Sequence, residues 1–237
     1  MFRDYLASAA HQYGLYLSDE QLAAFNRYYE LLLDWNSRLN LTAITEPKEV
    51  AVKHIIDSLS CYDEDYFPSA CRVIDVGSGA GFPGLPLKIY RPDISVVLLD
   101  SLNKRLTFLQ AVIQELDLSG VTTLHARAEE GGRRANLRDS FHVVTSRAVA
   151  RLSVLAELCL PFVKPGGVFV ALKGAQFAEE AAEAQTAVRL LGGRLAHVRQ
   201  VHLPGLDDKR AVIYIAKDKL PPAAYPRKPG MPDKHPL

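Results

Sequence analysis

The segment Asp75-Val-Gly77-Ser-Gly79-Ala-Gly81-Phe82-Pro-Gly84 places an acidic residue and four glycines directly after an apolar run. Glycine adopts left-handed backbone conformations and lets a ligand lie against the main chain, so this turn indicates a ligand site between a strand and a helix. Gly79, Gly81 and Gly84 also fit the dinucleotide pattern G-x-G-x-x-G, which makes a nicotinamide site the first alternative. A tight turn that binds nothing is the second.

Two features favour S-adenosylmethionine over a dinucleotide. In the dinucleotide fold the first glycine of the pattern leaves the strand directly, whereas Gly77 and Ser78 intervene here. A carboxylate at Asp75 would repel a pyrophosphate. The cofactor S-adenosylmethionine has no phosphate and carries sulfonium and ammonium cations, so we expect Asp75, Gly77 and Gly79 to contact it.

Asp100 ends the next apolar run, Val-Val-Leu-Leu-Asp100. A carboxylate at the end of the second strand of a β-α-β unit can accept hydrogen bonds from both ribose hydroxyls of an adenosine-containing ligand. The alternative is a helix cap for the segment that starts near Asn103, since Asp is a good N-cap residue. The spacing from the glycine turn favours ribose binding.

Further polar residues follow the later apolar runs. Arg127, Ala128 and Glu129 follow the third run and could contact an adenine edge, whereas Arg147 and Lys173 follow the fourth and the fifth. The carboxyl ends of parallel strands open onto one edge of a sheet, so these residues should converge although they are far apart in the chain. A single Arg or Lys is more often a surface charge, but two cations at consecutive strand ends beside a purine pocket favour contact with phosphate or a base carbonyl.

Short apolar runs that alternate with helical segments must position these residues. Runs rich in Val, Ile and Leu on both faces predict a parallel sheet covered by helices on both sides. The predicted strands are Val73–Val76, Ser95–Leu99, Val121–Leu124, His142–Thr145, Val168–Leu172, Arg194–Val201 and Ala211–Ala216. The predicted helices between them are Leu85–Tyr90, Lys104–Leu116, Leu152–Leu160 and Ala178–Leu191.

Three regions follow from this pattern. Residues 1–66 are predicted to be a helical addition, which has a capping box at Ser18–Gln21. Residues 67–219 form the predicted α/β domain. Residues 220–237 hold six prolines and several cations and are predicted to be an extended tail on the surface, without helix or central strand.

Composition narrows the class of protein. The chain has 237 residues, 48% of them hydrophobic and 23% charged, which is typical of a globular protein with a core. Apolar runs are too short for a membrane span, and the three cysteines lack paired spacing, so we expect a cytoplasmic protein without disulfides or a metal site. Residues 1–72 carry 6 Lys and Arg against 11 Asp and Glu, whereas residues 73–237 carry 22 against 16. A polyanion would meet the second part, although from charge alone a solvated surface of mixed charge is favoured.

In the N-terminal part, Asn40, His54 and Asp57 stand out. From residue chemistry alone Asn40 is a local cap, and His54 with Asp57 is an i, i+3 pair on a helix. These structural interpretations are favoured until the whole set of motifs is compared with known families.

The chain resembles the bacterial ribosomal small-subunit methyltransferase family RsmG, also called GidB. The resemblance rests on segments that span nearly the whole chain, and no motif position departs from the family pattern. These segments are Asn40-Leu-Thr-Ala-Ile, Lys53-His-Ile-Ile-Asp-Ser-Leu, Asp75-Val-Gly-Ser-Gly-Ala-Gly-Phe-Pro-Gly, Leu99-Asp-Ser-Leu-Asn-Lys-Arg105, Ala128-Glu129, Thr145-Ser-Arg-Ala-Val-Ala-Arg151, Ala171-Leu-Lys-Gly174 and Tyr225-Pro-Arg-Lys-Pro-Gly-Met-Pro.

The resemblance implies an α/β fold with a Rossmann-like class I methyltransferase sheet of seven strands and an N-terminal helical addition. It implies methyl transfer to N7 of guanine 527 in the 530 loop of 16S ribosomal RNA, with that RNA or the small subunit as partner. The family's cofactor-contacting positions match Gly77, Phe82, Ala128, Glu129 and Arg147. Its positions tied to activity and RNA engagement match Asn40, His54, Arg127, Arg147 and Lys173.

Guanine N7 has an in-plane lone pair and no proton, so the transfer requires no general base. We therefore expect Arg147 and Lys173 to act by orientation and charge, and Lys173 to hold guanine O6, which shares the major-groove edge with N7. Two rival functions stay open: a methyltransferase of the same fold with another substrate, and a non-catalytic RNA-binding or ribosome-assembly factor. Cofactor titration separates the second rival from the enzymes.

Overall fold

The computed structural model describes all residues, 1–237, and contains one mixed seven-stranded sheet. The strand order is β3-β2-β1-β4-β5-β7-β6. Strands β1 to β5 are parallel, whereas β7 pairs antiparallel with both β5 and β6. The strands are β1 (Arg72–Val76), β2 (Ser95–Asp100), β3 (Val121–His125), β4 (Phe141–Arg147), β5 (Val163–Lys173), β6 (Gly193–Val201) and β7 (Arg210–Lys217).

Eleven α-helices, a π-helix and a 3-10 helix complete the fold. The π-helix spans Val50–Ile56 and the 3-10 helix spans Leu160–Phe162. The α-helices are α1 (Phe2–Tyr13), α2 (Asp19–Leu39), α3 (Pro47–Glu49), α4 (Asp57–Leu59), α5 (Gly84–Tyr90), α6 (Asn103–Glu115), α7 (Ala128–Gly131), α8 (Leu152–Cys159), α9 (Phe177–Glu183), α10 (Gln185–Leu190) and α11 (Met231–Lys234).

The predicted strands and helices are confirmed, with shifted ends. Strand β5 begins at Val163, five residues before the predicted start, because Val163 pairs with Phe141 across an irregularity in the register. The predicted helix Ala178–Leu191 is two helices, α9 and α10, which meet at Ala184.

Alternate residues of the central strands enter two separate cores, as a sheet covered on both faces requires. Val73 and Val143 belong to a cluster of 39 buried residues, and Ile74 and Val144 belong to a cluster of 24 on the other face. Helices α1 and α2 contribute to the larger cluster. The N-terminal helices therefore share a core with the sheet, and the division at residue 66 stays a prediction.

The C-terminal segment differs from its prediction. Met231–Lys234 is helical, with Pro232 in the first turn. Proline is tolerated there because the N–H groups of the first turn make no intrahelical hydrogen bond. Pro221, Pro226 and Pro232 are buried. The prediction of a wholly extended surface tail was therefore wrong for these residues. No helix is long and apolar enough to cross a membrane.

Candidate active site

The glycine turn follows β1 and is fixed by hydrogen bonds to the end of β2. Gly77 and Ser78 donate their N–H groups to the Leu99 carbonyl, at 2.8 and 3.1 Å. Gly77 and Gly79 have φ of +76° and +59°, in the left-handed region. A Cβ at Gly79 would meet only the Gly77 carbonyl, at 3.9 Å, so this glycine leaves its side of the turn to the adjoining cavity.

Asp75 lies beneath the turn and is fully buried. Its Oδ1 accepts from the Thr145 hydroxyl at 2.9 Å, and its Oδ2 accepts from the Gly84 N–H at 3.2 Å. Burial raises the pKa of this carboxyl to about 6, against the opposing hydrogen bonds. Asp75 lines none of the cavities described below. The Asp75 carboxylate therefore stabilises the turn from within the core. This differs from the expectation that it contacts the cofactor.

Asp100 is not the N-cap residue of α6, and its binding of ribose stays a prediction. Its Oδ1 accepts from the N–H of Leu102 at 2.8 Å, a local turn contact, whereas Leu102 itself precedes α6 and the helix has no side-chain cap. Its Oδ2 accepts from the Gly79 N–H at 2.9 Å and lies 3.3 Å from Arg105. The carboxylate thus ties β2 to the glycine turn, and it also lines the central cavity.

Three cavities adjoin one another along the carboxyl edge of the sheet. The central one, about 390 Å³, is lined by the glycine turn, Asp100, Phe82, His54 and Arg147. The second, about 350 Å³, shares Gly77 with it. The third, about 430 Å³, shares His54 and Arg147 with the central one and extends towards β5 and β7. The strand ends therefore converge on one cleft, here called the edge cleft.

The 350 Å³ cavity, here called the adenosine cavity after its expected ligand, contains the predicted group Arg127, Ala128 and Glu129. Arg127 is exposed, whereas Ala128 and Glu129 are buried. The Glu129 Oε1 accepts from the backbone N–H of Gly230 at 3.0 Å, so the C-terminal segment reaches this cavity.

Arg147 lines two of the three cavities, but it is held in an ion pair that the sequence did not predict. Its Nη1 lies 2.7 Å from Asp57 Oδ2, and the side chains are only 13% and 7% exposed. Arg210 contacts the other oxygen of the same carboxylate at 3.2 Å, and the Arg147 guanidinium stands 5.0 Å from the centre of the Phe82 ring. Asp57 pairs with these two cations and not with His54. Neither Asp57 nor Arg210 was a predicted site residue. Asp57 lies 90 residues from Arg147 and 153 residues from Arg210 in the chain, and no local pattern indicates contacts over such distances.

His54 lies on the π-helix, a form that often occurs at functional sites. Its ring stacks on Phe82 with 4.6 Å between centroids. Burial, followed by the charge of Arg147, lowers the pKa of His54 to about 4. The ring is therefore neutral near pH 7. Nδ1 lies 3.2 Å from the Lys53 carbonyl, which can only accept, so Nδ1 carries the proton and Nε2 accepts from the Thr42 hydroxyl at 2.9 Å.

The structure places Lys173 in the edge cleft and Asn40 outside it. Lys173 lines the 430 Å³ cavity, where its ammonium group lies 2.7 Å from Glu180 and donates to the Ala150 carbonyl at 2.8 Å. Asn40 is exposed, ends α2 in a left-handed conformation at φ +48° and lines none of the three cavities. Thr42, two residues later, lines the central cavity and holds His54. This threonine was in the matched segment but was not predicted to be a site residue.

Comparisons with known proteins find a family, full-length relatives and solved structures that this chain resembles. The family model of GidB, described as rRNA small subunit methyltransferase G, matches residues 21–212. The chain is 48% identical over 98% of its length to the ribosomal RNA small subunit methyltransferase G of Desulforamulus reducens, of which it covers 97%. It is also 48% identical to the protein of the same name from Exiguobacterium sibiricum, and each chain is covered completely.

Solved structures share the fold at low identity. A 16S rRNA (adenine(1408)-N(1))-methyltransferase variant from Catenulisporales acidiphilia superposes with a TM-score of 0.53 at 15% identity, covering 64% of this chain and 87% of that one. Aeropyrum pernix fibrillarin, solved with S-adenosyl-L-methionine, gives 0.51 at 14% identity, covering 68% and 60%. Both similarities support the Rossmann-like methyltransferase fold.

Proposed function

The chain belongs to the GidB family of rRNA small subunit methyltransferase G proteins, and we propose that it methylates N7 of guanine 527 in the 530 loop of 16S rRNA. It is an S-adenosylmethionine-dependent methyltransferase. On this proposal its substrate is the small-subunit RNA, alone or within the subunit, and the protein acts in the cytoplasm. The observation that carries the proposal is the edge cleft, in which Asp100 of the central cavity and Glu129 and Asp233 of the adenosine cavity adjoin a cationic third cavity.

The residues of the edge cleft fit S-adenosylmethionine. This cofactor supplies an electrophilic methyl group on a sulfonium and carries no phosphate. Asp100 and Glu129 offer acceptors to its hydroxyl, amino and ammonium groups, and the open side of Gly79 lets it approach the backbone. We infer that Gly77, Gly79, Phe82, Asp100, Ala128 and Glu129 hold the cofactor, with Arg147 between it and the base.

The third cavity suits a polyanion and a guanine. Four cations and two carboxylates line it, which gives a net charge of +2; they are Lys53, Arg147, Lys173, Arg210, Asp57 and Glu180. The Lys173 ammonium has three N–H donors, of which Ala150 and Glu180 occupy two. The third can donate to guanine O6. Arg127 and Asn40 are both exposed, and we infer that they contact RNA.

The polar groups of the cleft favour an acceptor that needs no deprotonation. His54 is neutral with both ring nitrogens in hydrogen bonds, and Asp57 is held by two arginines. None of these groups is free to remove a proton, and guanine N7 has none to lose. The residues would act by aligning N7 with the methyl group, an effect that can lower a barrier by ~7–11 kcal/mol.

A reconstituted reaction tests the proposal. Small subunits from cells that lack the protein would be incubated with the enzyme and methyl-labelled S-adenosylmethionine, and the RNA nucleosides separated by mass. We expect 7-methylguanosine as the single labelled product. Subunits from cells that contain the protein, as the matched control, should take up little label. Label in N1- or N2-methylguanosine, or in adenosine, would contradict the proposed N7 chemistry.

A further inference from the structure

The C-terminal segment, residues 220–237, is held on the sheet domain by backbone contacts. Arg138 donates to the carbonyl of Pro221 at 3.2 Å and to that of Tyr225 at 2.7 Å. Arg133 donates to the Ala224 carbonyl at 2.9 Å. Since carbonyls of any residue would serve, these contacts fix the path of the segment and not its side chains.

Arg227 anchors the segment to the buried side chain of Glu157, which is 1% exposed. The guanidinium makes a two-pronged contact, with Nε 2.9 Å from Oε1 and Nη2 2.6 Å from Oε2, and the Arg227 backbone N–H donates to Oε1 at 2.7 Å. Paired arginine–carboxylate contacts of this geometry fix orientation as well as position. Arg227 is therefore committed inwards and is not a free cation for RNA.

Three residues beyond this anchor, the segment enters the adenosine cavity. Gly230 donates its N–H to Glu129 Oε1, and Gly230 and Asp233 both line the cavity. Gly230 has φ +81°, a left-handed conformation that turns the chain into α11 and brings Asp233 to the cavity wall. The second oxygen of Glu129 makes no hydrogen bond within the chain, and it is left for a ligand.

We propose that residues 230–233 form a wall of the cofactor site, in which Glu129 and Asp233 select a phosphate-free adenosine and Arg227 is a positioning residue. This inference rests on the proposed cofactor. The two carboxylates outnumber Arg127, the one cation that lines the cavity. They accept from the amino and hydroxyl groups of adenosine, and they repel the phosphates of ATP or a dinucleotide. The wall thus explains how the glycine pattern can resemble a dinucleotide site and still favour S-adenosylmethionine.

Hydrogen–deuterium exchange of the intact protein tests the wall without a substitution. Titration of wild-type protein with S-adenosylhomocysteine comes first, since failure to bind it would refute the proposed cofactor and not the wall alone. When binding is established, saturation should slow exchange in residues 230–235, and helix α1, which packs in the core on the other face of the sheet, should serve as an unchanged reference. Unaltered exchange in residues 230–235 at saturation would overturn the inference.

Truncation after Pro229 tests the same wall by affinity. It removes Gly230 and Asp233 and keeps the Arg227–Glu157 anchor. We expect the Kd for S-adenosylhomocysteine to rise about tenfold or more, since a charge-assisted contact and a cavity wall are lost. Lys234→Ala, an exposed change in the same segment, is the matched control and should bind normally.

Asp233→Ala, which keeps the full chain, is the second test if the truncated chain proves unstable. It should weaken S-adenosylhomocysteine binding several-fold and reduce the discrimination against ATP. Wild-type affinity in the folded truncated chain, or unchanged affinity and discrimination in Asp233→Ala, would show that the segment packs beside the site without contributing to it.

Discussion

Replacement of Arg147 by alanine should cost both stability and methyl transfer, because this side chain belongs to a buried ion pair inside the edge cleft. Breaking a buried pair by removal of one partner typically costs ~3–5 kcal/mol. Here Arg210 still contacts the other oxygen of Asp57, at 3.2 Å, so the carboxylate keeps a cation. We therefore expect a smaller loss of about 1.5–3 kcal/mol in the free energy of unfolding, the value of a hydrogen bond to a charged group.

The shared carboxylate gives a sharper expectation for the double variant. Arg210→Ala alone should also be tolerated, because Arg147 remains 2.7 Å from Asp57. Removal of both arginines leaves Asp57 buried without a partner. The double variant should then lose more than the sum of the two single variants, with a coupling on the order of 1–3 kcal/mol.

Urea unfolding of the apo-protein measures the stability of the four chains, and single-turnover methylation of unmodified small subunits measures their chemistry. Arg147→Ala should lower the single-turnover rate at urea concentrations and temperatures where it is fully folded. Additive losses in the double variant would refute the shared-carboxylate reasoning. A folded Arg147→Ala enzyme with a normal rate would remove Arg147 from the proposed site.

Three further predictions concern neighbouring residues. The pKa of His54 is about 4 in the folded protein and 6.5 in the unfolded chain, so between these pH values the unfolded chain binds more protons and the stability falls as the pH falls. His54→Asn should therefore reduce the dependence of stability on pH in this range by about 1 kcal/mol per pH unit, as measured by urea unfolding. An unchanged dependence would show that His54 titrates as an ordinary histidine. Asp100→Ala should weaken S-adenosylhomocysteine binding on the order of a hundredfold in calorimetry, and the lost hydrogen bonds from Leu102 and Gly79 should cost ~1–3 kcal/mol of stability. Unchanged affinity would leave Asp100 a purely structural residue. Gly81→Ala should lower the free energy of unfolding more than Gly79→Ala, since a Cβ at Gly81 would stand 2.6 Å from Leu85 and 2.7 Å from the Tyr28 hydroxyl. Gly79→Ala should mainly impair cofactor binding. Equal stability of the two variants would contradict this difference.

Local patterns carried the prediction of the fold. Alternating runs of Val, Ile and Leu identified all seven strands, and the capping box at Ser18–Gln21 forms as expected at the start of α2. The glycine turn and Asp100 lie together at the end of β1 and β2 because parallel topology forces neighbouring strand ends to one edge. These features depend on residues close in sequence or on the topology of the sheet.

Long-range partners of charged side chains could not be predicted in this way. The sequence identified Arg147 but gave no sign that Asp57 would neutralise it, since the pair joins a helix to a strand 90 residues away. The basic appearance of the C-terminal segment concealed that Arg227 serves a buried glutamate. The buried state of Asp75 was also missed, because its carboxylate is satisfied by Thr145 and Gly84, one of them 70 residues away.

The most direct test of the proposed function is the mapping of 7-methylguanosine in 16S rRNA from cells with and without the gene for this protein. Chain cleavage at borohydride-reduced 7-methylguanosine locates the modified nucleotide. Position 527 should be modified in the parent cells, unmodified in the deletion and restored by the wild-type gene, whereas a Gly79→Ala copy that folds but binds no cofactor should fail to restore it. Modification of position 527 in the deletion strain, or restoration at another nucleotide, would contradict the proposal.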